Sequence, residues 1–218
     1  MVRHLLLDAV VPLILSAKGE LILHAASVLL GGNAVLVIGH RGAGKSTLVA
    51  ALARHGVRVL GDDAVRLRET PGGWEVLPSY PGIRLWPDST EWLKVDPREL
   101  TPMADESDKL RWAPDKLRWA PHADGSPSPL PLLSHLVFLE GPPASGRAEI
   151  SLSSPRSALL AILEHSFYLS PMSREDGPRF ELMGRVVDRY PIHTLRHEQN
   201  YTCLDEVIGT FVSAFGAQ

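Results

Sequence analysis

Gly39, His40, Arg41, Gly42, Ala43, Gly44, Lys45 and Ser46 are the stretch of this chain best suited to chemistry. They satisfy the spacing Gly-x-x-x-x-Gly-Lys-Ser, and Thr47 adds a second hydroxyl beside Ser46. Glycines at such positions let a backbone curl until successive N–H groups point inward at phosphate oxygens. A lysine there reaches the β- and γ-phosphates, and the serine hydroxyl can ligate magnesium. The pattern predicts a P-loop (Walker A) site for a nucleoside triphosphate, taken as ATP with Mg2+.

Asp62 and Asp63 follow the loop by sixteen or so residues. One carboxylate beside metal-bound phosphates can hold the metal or its waters, and a second can accept the proton of an attacking hydroxyl. His24 interrupts a long apolar run before the loop. A histidine in such a run is commonly a satisfied core residue, but it can also orient an aspartate or help hold a phosphate. Arg84, Lys116 and Arg118 are candidates for contact with phosphate or substrate, and Lys109 and Arg111 share the same basic neighbourhood.

These residues need elements to hold them. Leu21–Leu30 reads as one buried strand, and Ala34–Ile38, rich in Val, as a second. The glycine loop comes next, then a helix from Lys45 to His55 with Leu48, Ala51 and Leu52 on one face, stopped by Gly56. Val57–Leu60 reads as the strand that delivers Asp62 and Asp63. In an α/β layout the carboxyl ends of neighbouring strands lie side by side, so both aspartates are expected to face the nucleotide. A β-hairpin is predicted around Pro71-Gly72-Gly73 and a short strand at Ile83–Trp86. Later strands are predicted at Ser134–Glu140, Ala148–Leu152 and Ile192–Arg196. Helices are predicted at Ser154–Leu169, Arg179–Asp188 and Leu204–Phe215. Residues 87–131 read as an irregular loop segment within a single domain spanning 1–218. It contains a tandem repeat, Asp108–Pro114 followed at once by Asp115–Pro121. The repeat is either a duplication in a tolerant loop or a doubled basic-aromatic hook for substrate.

Composition narrows the partners. A net charge of -3 gives no general basic character of the kind that suggests nucleic-acid binding. The single cysteine, Cys203, has no partner for an intrachain disulfide and reads as a structural thiol. The apolar N-terminus is interrupted by Asp8 and Pro12 and is too short to span a bilayer. No membrane association and a cytoplasmic location are therefore expected.

Leu23-His24-Ala25, Val37–Thr47 and Gly56–Asp63 together resemble the HPr serine kinase/phosphorylase family, most closely its shortened HPr-kinase-related branch. Histidine, phosphate loop and aspartate pair occur in that order and at similar separations over residues 20–68. The resemblance implies a mixed sheet with flanking helices, shared with phosphoenolpyruvate carboxykinases. It implies Asp62 as the base toward a serine hydroxyl, Asp63 and Ser46 as magnesium ligands, and His24 beside Asp62. Full-length members carry Glu-Ile-Arg-Gly-Leu-Gly, tied to the reverse dephosphorylation. Here Ile83-Arg84 is all that survives of it, so a one-way kinase is expected. Full-length relatives are hexamers, which makes a homo-oligomer an expectation. Some shortened members resemble kinases for the C-terminal serine of a ribosomal (lasso) precursor peptide, so a peptide or protein bearing a serine is the expected partner. A small-molecule kinase and a non-catalytic nucleotide-sensing module are the alternatives.

Overall fold

Strand β3, Asn33–Gly39, is apolar almost throughout because both of its faces are covered. Val35 and Val37 point into one core, and Ala34, Leu36 and Ile38 into another. A period of two sorts the side chains between the faces, and burial on both faces makes each set apolar. The computed structural model describes residues 6–79, 82–103, 108–113, 129–168 and 177–216.

β3 lies inside a six-stranded mixed sheet. The order is β11 (Glu149–Leu152), β12 (Ile192–Arg196), β10 (Leu133–Glu140), β3, β2 (Ala25–Leu30) and β4 (Arg58–Gly61). β12, β10 and β3 run parallel, whereas β2 runs antiparallel to both β3 and β4. A short helix α1 (Val11–Ala17) precedes β1 (Leu21–Leu23) in the chain. Helices α2 (Lys45–Arg54) and α6 (Leu204–Phe215) cover one face, with Leu48, Leu52, Val207 and Phe211 in the same core as Val35 and Val37. Helices α4 (Pro155–Glu164) and α5 (Gly177–Arg189) contribute Ile162, Met183 and Val186 to the core on the other face.

The stretch expected as one strand over Leu21–Leu30 is broken at His24. Leu21–Leu23 forms β1, which joins β5 (Val65–Thr70) and β6 (Gly73–Leu77) in a separate antiparallel sheet. The cause is a competing partner. The His24 N–H donates to the His165 carbonyl at 2.6 Å, and the Phe167 N–H donates to Ile22. The same pairing ends α4 at Glu164, short of the expected Leu169, because His165–Phe167 run alongside β1. Ser154 does cap that helix, accepting from the Ser157 N–H. The hairpin predicted around Pro71–Gly73 is formed by β5 and β6.

The segment 87–131 is more regular than expected. It holds α3 (Pro87–Trp92), β8 (Leu100–Pro102) and β9 (Leu110–Trp112). With β7 (Ile83–Leu85) these strands make a three-stranded antiparallel sheet in the order β7-β9-β8. β9 is built from the first copy of the repeat, and the second copy lies outside the described residues. Trp112 explains why this sheet forms at all. Its ring is fully buried in the core shared with α2, and its Nε1 donates to Glu99 at 2.8 Å. Ile83 and Leu85 enter the same core, so α2 is covered on two sides. Val49, Ala50 and Ala53 are therefore buried in addition to the expected Leu48, Ala51 and Leu52.

Trp112→Ala should lower the unfolding free energy by about 3–5 kcal/mol, the usual cost of deleting a buried aromatic ring. Urea unfolding measures it, and a loss under about 1 kcal/mol would mean that the small sheet contributes little to the fold.

Candidate functional site

One edge of the six-stranded sheet gathers the candidate residues. β3 and β4 both end there, at Gly39 and Gly61, and the antiparallel β2 between them begins there, just after His24. Asp62 and Asp63 follow β4 directly. Asp62 and Asp63 thus lie beside the loop, across an intervening strand. That strand is what carries His24 to the same edge.

The glycine loop joins β3 to α2. Gly39 passes so close to β10 that a side-chain carbon on it would sit 3.1 Å from the Leu139 carbonyl. Gly42 and Gly44 have φ of +86° and +93°, the left-handed region that other residues enter at a cost. α2 starts at Lys45 with no capping side chain and no acidic residue in its first turn. Its first N–H groups and the positive end of its dipole remain available to an anion. The Lys45 ammonium is buried and donates to the Gly39 carbonyl at 2.6 Å and to that of His40 at 3.3 Å. Burial lowers its pKa, an effect opposed by Asp62 and Asp63. His40 is exposed, stacked edge-on against Phe138 and 3.5 Å from Glu164. Arg41 is exposed, and Ala43 is buried beneath the loop.

The two aspartates have different surroundings. Asp62 is 8% exposed, accepts from the Ser46 hydroxyl at 3.3 Å and accepts from the Arg84 backbone N–H at 3.1 Å. Its carboxyl is pushed up to about 7, first by burial and then by the charge of Asp63, with the Arg84 and Ser46 hydrogen bonds pulling the other way. Asp63 sits at φ +76° and pairs with the Arg84 guanidinium through both Nε and Nη2. His24 donates from Nδ1 to the Asp63 backbone carbonyl at 2.9 Å, so it touches the second aspartate's main chain rather than the Asp62 carboxyl. Its pKa is lowered by burial and by Lys45, against the pull of Asp63. Neutral, with Nδ1 protonated, its Nε2 is an acceptor.

A cleft of about 590 Å³ opens over the loop, within the size range of small-molecule sites. Gly42, Gly44, Lys45, Ser46 and Asp63 line its polar part, and Trp86, Leu204 and Val207 give it an apolar wall. Asp62 is not among the lining residues and reaches the cleft through its hydrogen bond with Ser46, which is. Lys109 lines the cleft with its ammonium 5.1 Å from the Trp86 ring centroid. Arg84 lines it too, whereas Arg111 stands opposite Arg84 in the β7–β9 ladder. Lys116 and Arg118 lie outside the described residues.

Phosphates and a divalent cation fit this arrangement. The uncapped helix start and the buried ammonium suit an anion, and Ser46 with the two carboxyls supplies oxygen donors. Among the described residues no group of three or more His, Cys, Asp or Glu side chains is gathered for a metal. A hard ion that takes one or two carboxylates and completes its shell with phosphate and water, as Mg2+ does, suits such a donor set.

Several residues here carried no signal in the sequence. His165 gives its carbonyl to His24, bonds the Ala161 carbonyl through Nδ1 and has a favourable contact with that of Gly39. His197 is buried against Gly44, with Nδ1 on the Glu198 carbonyl. Ser89 and Tyr201 extend a chain of hydroxyls from the loop, Ser89 lying 3.2 Å from Thr47 and 2.8 Å from Tyr201. All come from segments distant in the chain, and none belongs to a spaced motif.

No family model matches the sequence, and no curated protein matches it. Among solved structures, the HPr(Ser) kinase/phosphatase from Coxiella burnetii is similar with a TM-score of 0.42 and 11% identity, over 88% of this chain and 96% of that chain.

A native Asp62 that titrates near 7 keeps its proton where an unfolded aspartate, at 3.8, has lost it. The stability this gives is full below pH 4 and is lost as pH rises through 7. Asp62→Asn, neutral at every pH, should raise the melting temperature at pH 8 by roughly 2–8 °C and barely change it at pH 4. Thermal scans in EDTA at the two pH values test this. An equal effect at both would remove the buried-charge explanation.

Proposed function

We propose that this protein is an ATP-dependent, magnesium-requiring kinase that phosphorylates a serine hydroxyl on a peptide or protein. The C-terminal serine of a ribosomal (lasso) precursor peptide is the acceptor we favour. The observation that carries the reading is the contact between the two halves of the site. Ser46, in the first turn of the anion-binding helix, is hydrogen-bonded to a buried carboxyl that titrates near neutrality. A group poised near the working pH is suited to take a proton from a hydroxyl.

Phosphoryl transfer asks a protein mainly for position and positive charge. The glycine-loop amides and Lys45 provide the charge, and their rigid placement between β3 and α2 provides the position. Mg2+-ATP would supply the phosphoryl group and neutralise its oxygens. Ser46 and Asp63 are the residues we assign to hold the metal, and Asp62 is the proton acceptor. His24 fixes the Asp63 backbone and so the direction in which that carboxylate points. Trp86 is 44% exposed beside Lys109, an aromatic and cationic surface suited to an acidic or extended peptide. This favours a peptide over a small metabolite as acceptor. A purely nucleotide-sensing module has no use for a near-neutral carboxyl beside Ser46.

Asp62→Asn should reduce transfer at least about a hundredfold while nucleotide binding persists, and extra metal should not restore it. Asp63→Asn should instead raise the metal concentration needed for half-maximal transfer. The assay follows label from γ-labelled ATP into a serine-ended precursor peptide and into a cell extract. Transfer by Asp62→Asn at the normal rate would sink the base assignment. Label in a metabolite rather than a peptide would move the substrate class, and the opposite pattern of metal rescue would exchange the roles of the two aspartates.

A further inference from the structure

We infer that Arg84 is a resident counter-ion that keeps divalent cations off Asp63 until nucleotide phosphates draw its guanidinium away. One residue holds both aspartates. The Arg84 backbone N–H donates to Asp62, and its guanidinium grips Asp63 through Nε and Nη2 at a single carboxylate oxygen. The pair is sheltered, with side-chain exposures of 18% for Arg84 and 15% for Asp63. Solvent screens such a pair much less than a surface one.

Lys45, another cation lining the cleft, does not share this task. Lys45 is hydrogen-bonded to the carbonyls of Gly39 and His40 and to neither carboxylate. A metal ion at Asp63 therefore meets a guanidinium already bonded to one oxygen of the same carboxylate. The second carboxylate oxygen is left to the metal, but two cations held on one sheltered carboxylate repel each other, and that repulsion is costly.

Arg84 also has an alternative partner within reach. It lines the same cleft as Gly42, Gly44 and the start of α2, where an anion is favoured. Its backbone is fixed in β7, which is paired to β9 and packed on α2 through Ile83 and Leu85. Exchange of partner is then a side-chain movement, with the strand as its anchor. Guanidinium binds phosphate through two parallel hydrogen bonds as readily as it binds carboxylate. Metal and nucleotide binding become positively coupled, since each favours the state in which Arg84 has left Asp63.

The inference rests on the kinase reading for its purpose. Its test uses Mn2+ alone, so it can fail while transfer is found and hold where no transfer is. Mn2+ binding is followed by electron paramagnetic resonance without nucleotide. Wild-type protein should bind weakly, with a Kd above about 0.3 mM, in the range of loosely held metal sites. Arg84→Gln and Arg84→Met, the second keeping the side chain's apolar length, should bind Mn2+ about tenfold tighter or more, at the upper end of ordinary coupling. Adding Asp63→Asn to either should abolish the gain. Variants that bind no tighter than wild type, or a gain that survives Asp63→Asn, overturn the proposal. If neither variant folds, the wild-type value decides: a tighter Kd overturns the proposal and a weaker one supports it.

Discussion

Lys45 and Asp62 are both more than nine-tenths buried at one edge of the central sheet, and much of the surrounding structure compensates them. A charge taken out of water is stable only where hydrogen bonds or opposite charges replace its solvation. Lys45 receives the two loop carbonyls. Asp62 receives the Ser46 hydroxyl and the Arg84 N–H, and even so its carboxyl is held near 7 by burial and by the charge of Asp63 beside it. Arg84 in turn balances Asp63. Moving any one of these groups leaves another uncompensated, so loop, aspartate turn and β7 are tied to a common geometry.

The fold supplies that geometry through an unusual burial of α2. A helix covered only by the central sheet would need a single apolar stripe. This one also meets the small sheet, which brings Ile83, Leu85 and Trp112 against it. Small residues such as Ala50, Ala51 and Ala53 allow close approach on the additional sides. The result couples the residue that opens the helix, Lys45, to the strand that carries Arg84. On the opposite face His165 plays a comparable part. It pins His24 through the backbone and lies beside the Gly39 carbonyl at the base of the loop.

Much of this was legible in the sequence because it is local. The glycine spacing, the Val-rich run before it and the apolar period after it place loop, β3 and α2 within a residue or so. The hairpin of β5 and β6, β12 and α6 were equally readable from turn residues and periodicity. The failures share a cause. Leu21–Leu30 reads as one strand since its apolar run continues through His24, and only the partner at His165–Phe167 breaks it. The segment after residue 87 looks irregular because its strands are three residues long, too short for alternation to register.

Residue order alone supplies the groups: a glycine loop with Lys45 and Ser46, two adjacent aspartates and a histidine ahead of them. Glycine, ammonium, hydroxyl and carboxyl groups in that order suit work on anions and hydroxyls. Packing divided them. It bonded Ser46 to Asp62 rather than Asp63, set His24 on a backbone carbonyl, and brought Arg84, His165 and His197 in from remote segments. Protonation and pairing depend on burial and on distances between groups far apart in the chain. Those quantities exist only once strands and helices have packed, so no reading of spacing alone supplies them.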